Sequence, residues 1–149
     1  MKLTKRITGL RTNAFAALVG LLIAFVLGTT LYGQVPKDAQ GRGLFGAFGE
    51  VIISGPVLLI LHAIVGTLII VSAATAVIRA ILIRNPGFVA LMSVAFLAVL
   101  LAWFAGSAFA NTLAPSAARA MEWSTAVAVL LYAIFLFVCT PQSAKAGEQ

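Results

Sequence analysis

Residues 57–78, VLLILHAIVGTLIIVSAATAVI, decide the fold, because this run contains no Asp, Glu, Lys or Arg. A helix needs about 20 apolar residues to cross the roughly 30 Å of hydrocarbon in a bilayer. Three further runs of this kind lie at residues 13–32, 87–110 and 123–140. No segment alternates polar with apolar residues as the strands of an outer-membrane barrel do. The sequence predicts an all-α integral membrane protein, a four-helix transmembrane bundle that forms one domain over residues 1–149.

The composition excludes several other classes of protein. Apolar residues make up 62% of the chain and charged residues only 9%, whereas about a quarter of the residues in a soluble domain are charged. Disordered chains are polar and rich in charge, so disorder is excluded too. The net charge of +6 comes from residues that flank the apolar runs, with no basic stripe between aromatic residues. Nucleic acid is therefore not an expected partner.

The basic residues also predict the orientation of the bundle. With four spans, both termini share one side of the membrane with the loop between the second and third spans. That side carries Lys2, Lys5, Arg6, Arg11, Arg79, Arg84 and Lys145, and the other side carries Lys37, Arg42 and Arg119. The excess places both termini in the cytoplasm. The first run is interpreted as an uncleaved helix, because GTTLYGQ lacks an Ala-x-Ala cleavage site.

The connections between the spans differ in kind. Residues 84–87, RNPG, predict a tight turn. The outer loop, residues 33–56, is longer, and its second half is apolar but too short and too rich in glycine to span. It is predicted to be an interfacial segment, with Leu44, Phe45 and Phe48 in the headgroup region. Residues 141–149 are predicted to be a loose polar tail.

Small residues four positions apart form one face of two spans. The face of the first span is Ala16, Gly20, Ala24 and Gly28, and that of the third is Ala98, Ala102, Gly106 and Ala110. Such faces let neighbouring helices approach closely in lipid. They predict packing within the bundle or against a partner subunit, and both alternatives stay open here.

His62 is the one ionisable side chain well inside a span, and such groups mark functional sites by default. One interpretation is structural: a neutral His62 that is hydrogen-bonded to a neighbouring helix. A second is ligation of haem b, with Gly66 one turn later admitting a flat ring. Haem b in a helical bundle usually needs a second axial ligand, which would have to be Met121, a symmetry-related His62 or a partner's residue.

A third interpretation is a polar pocket near the outer side of the membrane, which would hold a quinone head, another small ligand or a proton path. Polar residues of all four spans share the depth of His62 in this prediction. They are Thr29, Thr30, Ser107, Asn111, Ser124 and Thr125, and Glu122 and Arg119 lie at the rim. No metal site is expected apart from the haem alternative, because His62 and Cys139 are the only residues of their kinds.

Catalysis has little support in the sequence. No pair of carboxylates lies within the membrane, and no acid lies there to orient His62 in a Ser-His-Asp triad. The favoured interpretation is a small integral membrane subunit or accessory protein without catalytic activity. Its expected partners are the lipid bilayer and other membrane subunits or its own copies, and no cofactor is predicted. The alternatives are an electron-transfer subunit that binds haem b or quinone through His62 and, last, a small-solute carrier.

The segments LHAIVGTLIIVSAATAVIRA (61–80), WFAGSAFA (103–110) and AMEWSTAVAVLLYA (120–133) carry a resemblance. The chain resembles small four-span proteins of bacterial cytoplasmic membranes, through a His early in the second span and a Gly-Ser pair late in the third. The resemblance implies the fold and the bacterial inner membrane as the location. It implies no activity.

Overall fold

The computed structural model describes residues 3–31 and 33–139, and within them all regular structure is helical. The helices are α1 (Leu3–Thr30), α2 (Gly43–Ser54), α3 (Val57–Ile83), α4 (Pro86–Thr112) and α5 (Pro115–Val138), with a short 3-10 helix at Lys37–Ala39. All except α2 and the 3-10 helix are long and apolar enough to cross a membrane. The predicted all-α class with four spanning helices is confirmed.

The long helices extend beyond the apolar runs. α1 begins at Leu3 rather than near residue 13, and α5 begins at Pro115 rather than near residue 123. Hydropathy marks only the part of a helix that suits hydrocarbon, whereas backbone hydrogen bonding continues through polar turns. Pro115 also suits the first position of a helix, where no N–H is needed. The predicted span ends at residues 32 and 140, and the predicted tail, lie outside the described residues.

Two tight turns join α3 to α4 and α4 to α5. Arg84 (φ 62°) and Leu113 (φ 53°) both adopt the left-handed conformation that ends a helix. A proline begins the next helix within two residues of each. In the first turn, Asn85 Oδ1 accepts a hydrogen bond from the Phe88 N–H at 3.1 Å. This cap completes the turn that the sequence predicts at residues 84–87.

The four long helices form a ring, in which α1 and α4 each pack against α3 and α5. The short helix α2 packs on α3 and α4. We call this end of the ring the α2 end. The opposite end carries Lys5, Arg6, Arg11, Arg79 and Arg84, and we call it the basic end.

α1 and α3 pack antiparallel in a register that contacts along their length define. At the basic end the Arg6 guanidinium donates to the Leu82 carbonyl at 2.8 Å, and further along Asn13 Nδ2 donates to the Ser72 carbonyl at 2.7 Å. A Cβ atom added at Gly20 would lie 3.1 Å from Ile69 Cγ1. The two backbones therefore approach closely, as helices in lipid do through small residues.

The core is built largely of alanine. Ala14, Ala73, Ala76, Ala95 and Ala128 are almost completely buried. Larger buried side chains, among them Leu10, Met92, Tyr132 and Phe135, also belong to this main core cluster. A second, smaller cluster at the α2 end consists of Leu31, Ala39, Ala47, Val51, Leu59 and Ala110. Residues 33–56, the predicted outer loop, are called the outer segment from here on. This segment folds onto the bundle with a small core of its own.

Replacing Gly20 with leucine tests the contact between α1 and α3. The new side chain would overlap Ile69, and overpacking of this kind costs about 1–3 kcal/mol. We expect Gly20→Leu to lower the thermal unfolding temperature in detergent. Adding Ile69→Ala should restore part of the loss, because it removes the overlapping atoms.

Gly49→Leu is the control, since a Cβ atom at Gly49 meets nothing within 4 Å. This variant should unfold near the wild-type temperature. Equal destabilisation by Gly20→Leu and Gly49→Leu would contradict the close approach of α1 and α3.

Candidate functional site: a cavity beside His62

A cavity of about 140 Å³ lies between the two core clusters, in the half of the bundle nearer the α2 end. All four long helices contribute to its wall, together with Val35 and two residues of α2, Phe48 and Val51. Most of the lining side chains are apolar. A mainly apolar cavity with a few polar groups is the usual form of a site for a small lipophilic molecule.

His62 lies in the second turn of α3 and contributes its imidazole to the cavity wall. The ring packs against the backbone of α1 at Gly28, where an added Cβ atom would lie 3.1 Å from His62 Cε1. Ala24, one turn earlier on α1, lines the same cavity. Any residue larger than glycine at position 28 would displace the ring.

The imidazole has unmet hydrogen-bonding capacity. Among the residues that the structure describes, only His62 Nδ1 and the Tyr132 hydroxyl are buried without a hydrogen-bond partner. Tyr132 is not part of the cavity wall. A buried polar atom without a partner costs about 1–3 kcal/mol, so a polar ligand that supplied this partner beside His62 would be bound more tightly.

The structure brings together only part of the polar layer that the sequence predicts. His62, Gly66, Thr29, Ser107 and Glu122 all line the cavity. Thr30, Asn111 and Ser124 are absent from its wall. The difference arises because residues at one depth need not face inward, and only the rotation of each helix decides which of them reach the cavity.

The hydroxyl groups on the wall are used largely within their own helices. Thr29 Oγ1 donates to the Val26 carbonyl at 2.9 Å, and Thr125 Oγ1 donates to the Met121 carbonyl at 2.8 Å. Threonine commonly makes such bonds inside helices. The cavity is therefore less polar than the sequence suggests, and His62 is its most distinctive polar group.

Trp103 forms an aromatic wall that the sequence analysis did not assign to the site. Its ring lies 5.0 Å from the ring of Phe48 in α2, and its Nε1 donates to Thr67 Oγ1 of α3 at 3.3 Å. Trp103 and Phe48 both line the cavity. The sequence did contain one indication of this aromatic wall. The apolar segment predicted at the interface includes Phe48, and an apolar helix next to a span places its aromatic side chains against that span.

Asn111 holds the outer segment onto the bundle. Its side-chain Oδ1 accepts from the Gly43 N–H at 2.8 Å, and its carbonyl accepts from the Gly41 N–H at 3.0 Å. Arg42, between these two glycines, pairs with Glu50 at 3.1 Å. Gly41 and Gly43 have φ values of 77° and 74°, which other residues rarely adopt. Asn111 thus positions the segment that covers the cavity.

The dimensions of the cavity bear on the haem alternative. Met121, one of the second ligands considered for haem, does line the cavity together with His62. However, a cavity near 150 Å³ accommodates a molecule the size of benzene, and a porphyrin is several times larger. The geometry fits a single ring better than haem b.

Comparisons with models of protein families, with curated proteins and with solved structures give no match for this chain.

Changing Asn111 tests how the outer segment is held. Asn111→Ala removes the acceptor for the Gly43 N–H, and a hydrogen bond of this kind contributes about 1 kcal/mol. We expect the Gly43 amide hydrogen to exchange about fivefold faster in hydrogen–deuterium exchange. Asn111→Asp is the control, because its carboxylate still accepts. Wild-type exchange in Asn111→Ala would show that another contact holds the segment.

Proposed function

We propose that this chain is a non-catalytic, multi-pass membrane subunit that binds the head group of a quinone, or a closely similar single-ring molecule, in the cavity beside His62. The observation that carries the proposal is the unpartnered Nδ1 of an imidazole on the wall of an apolar cavity. A quinone combines an apolar ring with hydrogen-bonding oxygens, which is the combination that this wall complements.

Histidine suits both redox forms of such a ligand. A neutral imidazole carries one nitrogen that donates and one that accepts. The same nitrogen therefore donates to the carbonyl of a quinone in one tautomer and accepts from the hydroxyl of a quinol in the other. Trp103 and Phe48 supply aromatic surface against which a flat ring packs.

The cavity also opens to the side of the bundle that would face lipid. Phe25 and Thr29 of α1 line the cavity, yet both are exposed on the exterior of the structure. In a membrane this exterior faces lipid. A ligand that is dissolved in the bilayer would enter here, and a long apolar tail would remain outside among the lipid chains.

The subunit role is part of the same proposal. The described residues with carboxylates are Asp38, Glu50 and Glu122, and only Glu122 is on the cavity wall. The described part of the wall thus offers one carboxylate rather than the pair that acid–base work often uses, which favours binding over catalysis. Other membrane subunits or further copies of this chain stay the expected partners.

A direct test is the binding of ubiquinone with one isoprene unit, followed by quenching of Trp103 fluorescence in a Trp123→Phe background. We expect saturable quenching by the parent protein. His62→Ala should weaken binding about five- to tenfold, because it removes one hydrogen bond. Gly66→Leu should abolish binding by filling the cavity, since a Cβ atom there meets only Trp103 Cδ1, at 4.0 Å.

Leu61→Ala is the matched control, because Leu61 is the exposed neighbour of His62 and is not on the cavity wall. It should bind the quinone as the parent does. Equal affinity in the parent, His62→Ala and Gly66→Leu variants would refute the proposed site. An absorption spectrum with a Soret band that His62→Ala abolishes would favour haem b instead.

The proposal includes the topology, with both termini in the cytoplasm and the α2 end on the outer side of a bacterial inner membrane. It is supported by the basic residues of the basic end, which the positive-inside rule places in the cytoplasm. Alkaline phosphatase fused after residue 40 should be active, and fused after residue 84 it should be inactive. The reverse pattern would contradict the orientation.

A further inference from the structure

The basic end carries five cations and no carboxylate within the described part of the chain. Its cations are Lys5, Arg6, Arg11, Arg79 and Arg84, while Asp38, Glu50 and Glu122 all lie in the half with α2. At the α2 end, Arg42 forms an ion pair with Glu50. The charge at the basic end is thus not balanced by any described residue.

Two of these arginines lie in the groove between α1 and α3. The Arg6 guanidinium donates to the Leu82 carbonyl at 2.8 Å. The Arg79 guanidinium lies directly on α1 at Gly9, where an added Cβ atom would come within 2.6 Å of Nη1. Arg6 and Gly9 are three residues apart on α1, and Arg79 and Leu82 are three apart on α3. Each helix therefore brings one guanidinium group to its contact with the other helix at the basic end.

This arrangement leaves strong hydrogen-bond donors available. A guanidinium has five N–H donors, and Arg6 uses one nitrogen for the Leu82 carbonyl. Both arginines are exposed. Because the described part of the basic end has no carboxylate, an anion there would meet positive charge from both helices. Arginine forms paired hydrogen bonds with the oxygens of a phosphate.

The surroundings indicate which source of phosphate fits. Ile78, Ile81 and Leu82 are next to the groove on α3 and are all more than half exposed. A ligand bound here would therefore contact apolar surface as well as the two arginines. Phospholipids combine a phosphate with acyl chains, and basic pockets between membrane helices are known to take anionic headgroups.

We propose that the groove formed by Arg6, Gly9, Arg79 and Leu82 binds the phosphate of an anionic phospholipid such as phosphatidylglycerol. Arg6 and Arg79 hold the phosphate, and the exposed isoleucines of α3 contact the acyl chains. Gly9 leaves the space in which the Arg79 guanidinium lies against the backbone of α1. This site is at the opposite end of the bundle from the cavity and is independent of it.

The test compares the lipid affinity of arginine variants in mild detergent. Phosphatidylglycerol, added to the purified protein, should raise the unfolding temperature more than phosphatidylcholine does. Arg6→Gln and Arg79→Gln should each weaken phosphatidylglycerol binding about fivefold, measured by native mass spectrometry. Arg119→Gln is the matched control, since it removes one exposed positive charge at the other end, and it should bind as the wild type does.

A second variant distinguishes the position of the Arg79 guanidinium from the number of positive charges at the basic end. Gly9→Ala keeps every cation but forces the Arg79 guanidinium away from α1, and it should also weaken binding. Gly9→Ala should keep the wild-type circular dichroism spectrum, so that the comparison does not depend on misfolding. Three results would overturn the proposal. They are equal loss in Arg119→Gln, unchanged binding in both arginine variants, and the same stabilisation by inorganic phosphate alone.

Discussion

The close approach of α1 and α3 is the constraint on which the rest of the structure depends. Helices gain little from burying apolar side chains against each other in lipid, because lipid tails are as apolar as leucine. They are held together by contact between backbones and by hydrogen bonds across the interface. Glycines of α1 face α3 at three levels, where Gly9 meets Arg79, Gly20 meets Ile69 and Gly28 meets His62. One interface therefore produces a basic groove, a packed middle and a cavity wall.

The alanine-rich core explains why space remains at one level of the bundle. Alanines bring helix backbones together but fill little volume, and the large buried side chains Leu10, Met92, Tyr132 and Phe135 all belong to the main core cluster. At the level of His62 and Gly66 the facing residues include Gly28 and Gly106. Small residues on three helices at one level leave a cavity, and the outer segment held by Asn111 covers it.

Part of the site could be predicted from the sequence. His62 stood out because an ionisable side chain in a span is costly, Thr29, Ser107 and Thr125 followed from their depth, and Glu122 was predicted at the rim. Asn111 has the same depth but binds the outer segment, and Thr30 donates to its own helix at Leu27. Depth follows from the 1.5 Å rise per residue of a helix. The direction in which a side chain points depends on how each helix is rotated in the bundle, and a uniformly apolar span gives little indication of that.

The sequence by itself determined that the chain forms four membrane-crossing helices, where their apolar parts lie, and that His62 is exceptional among their residues. These properties depend on local composition, since hydrocarbon selects apolar runs of sufficient length. Only the tertiary structure decided that α5 begins at Pro115, that Trp103 and Phe48 enclose a cavity, and that Arg6 and Arg79 share a groove. These features join residues far apart in the chain, and their positions follow from the register in which glycine and alanine allow the helices to pack.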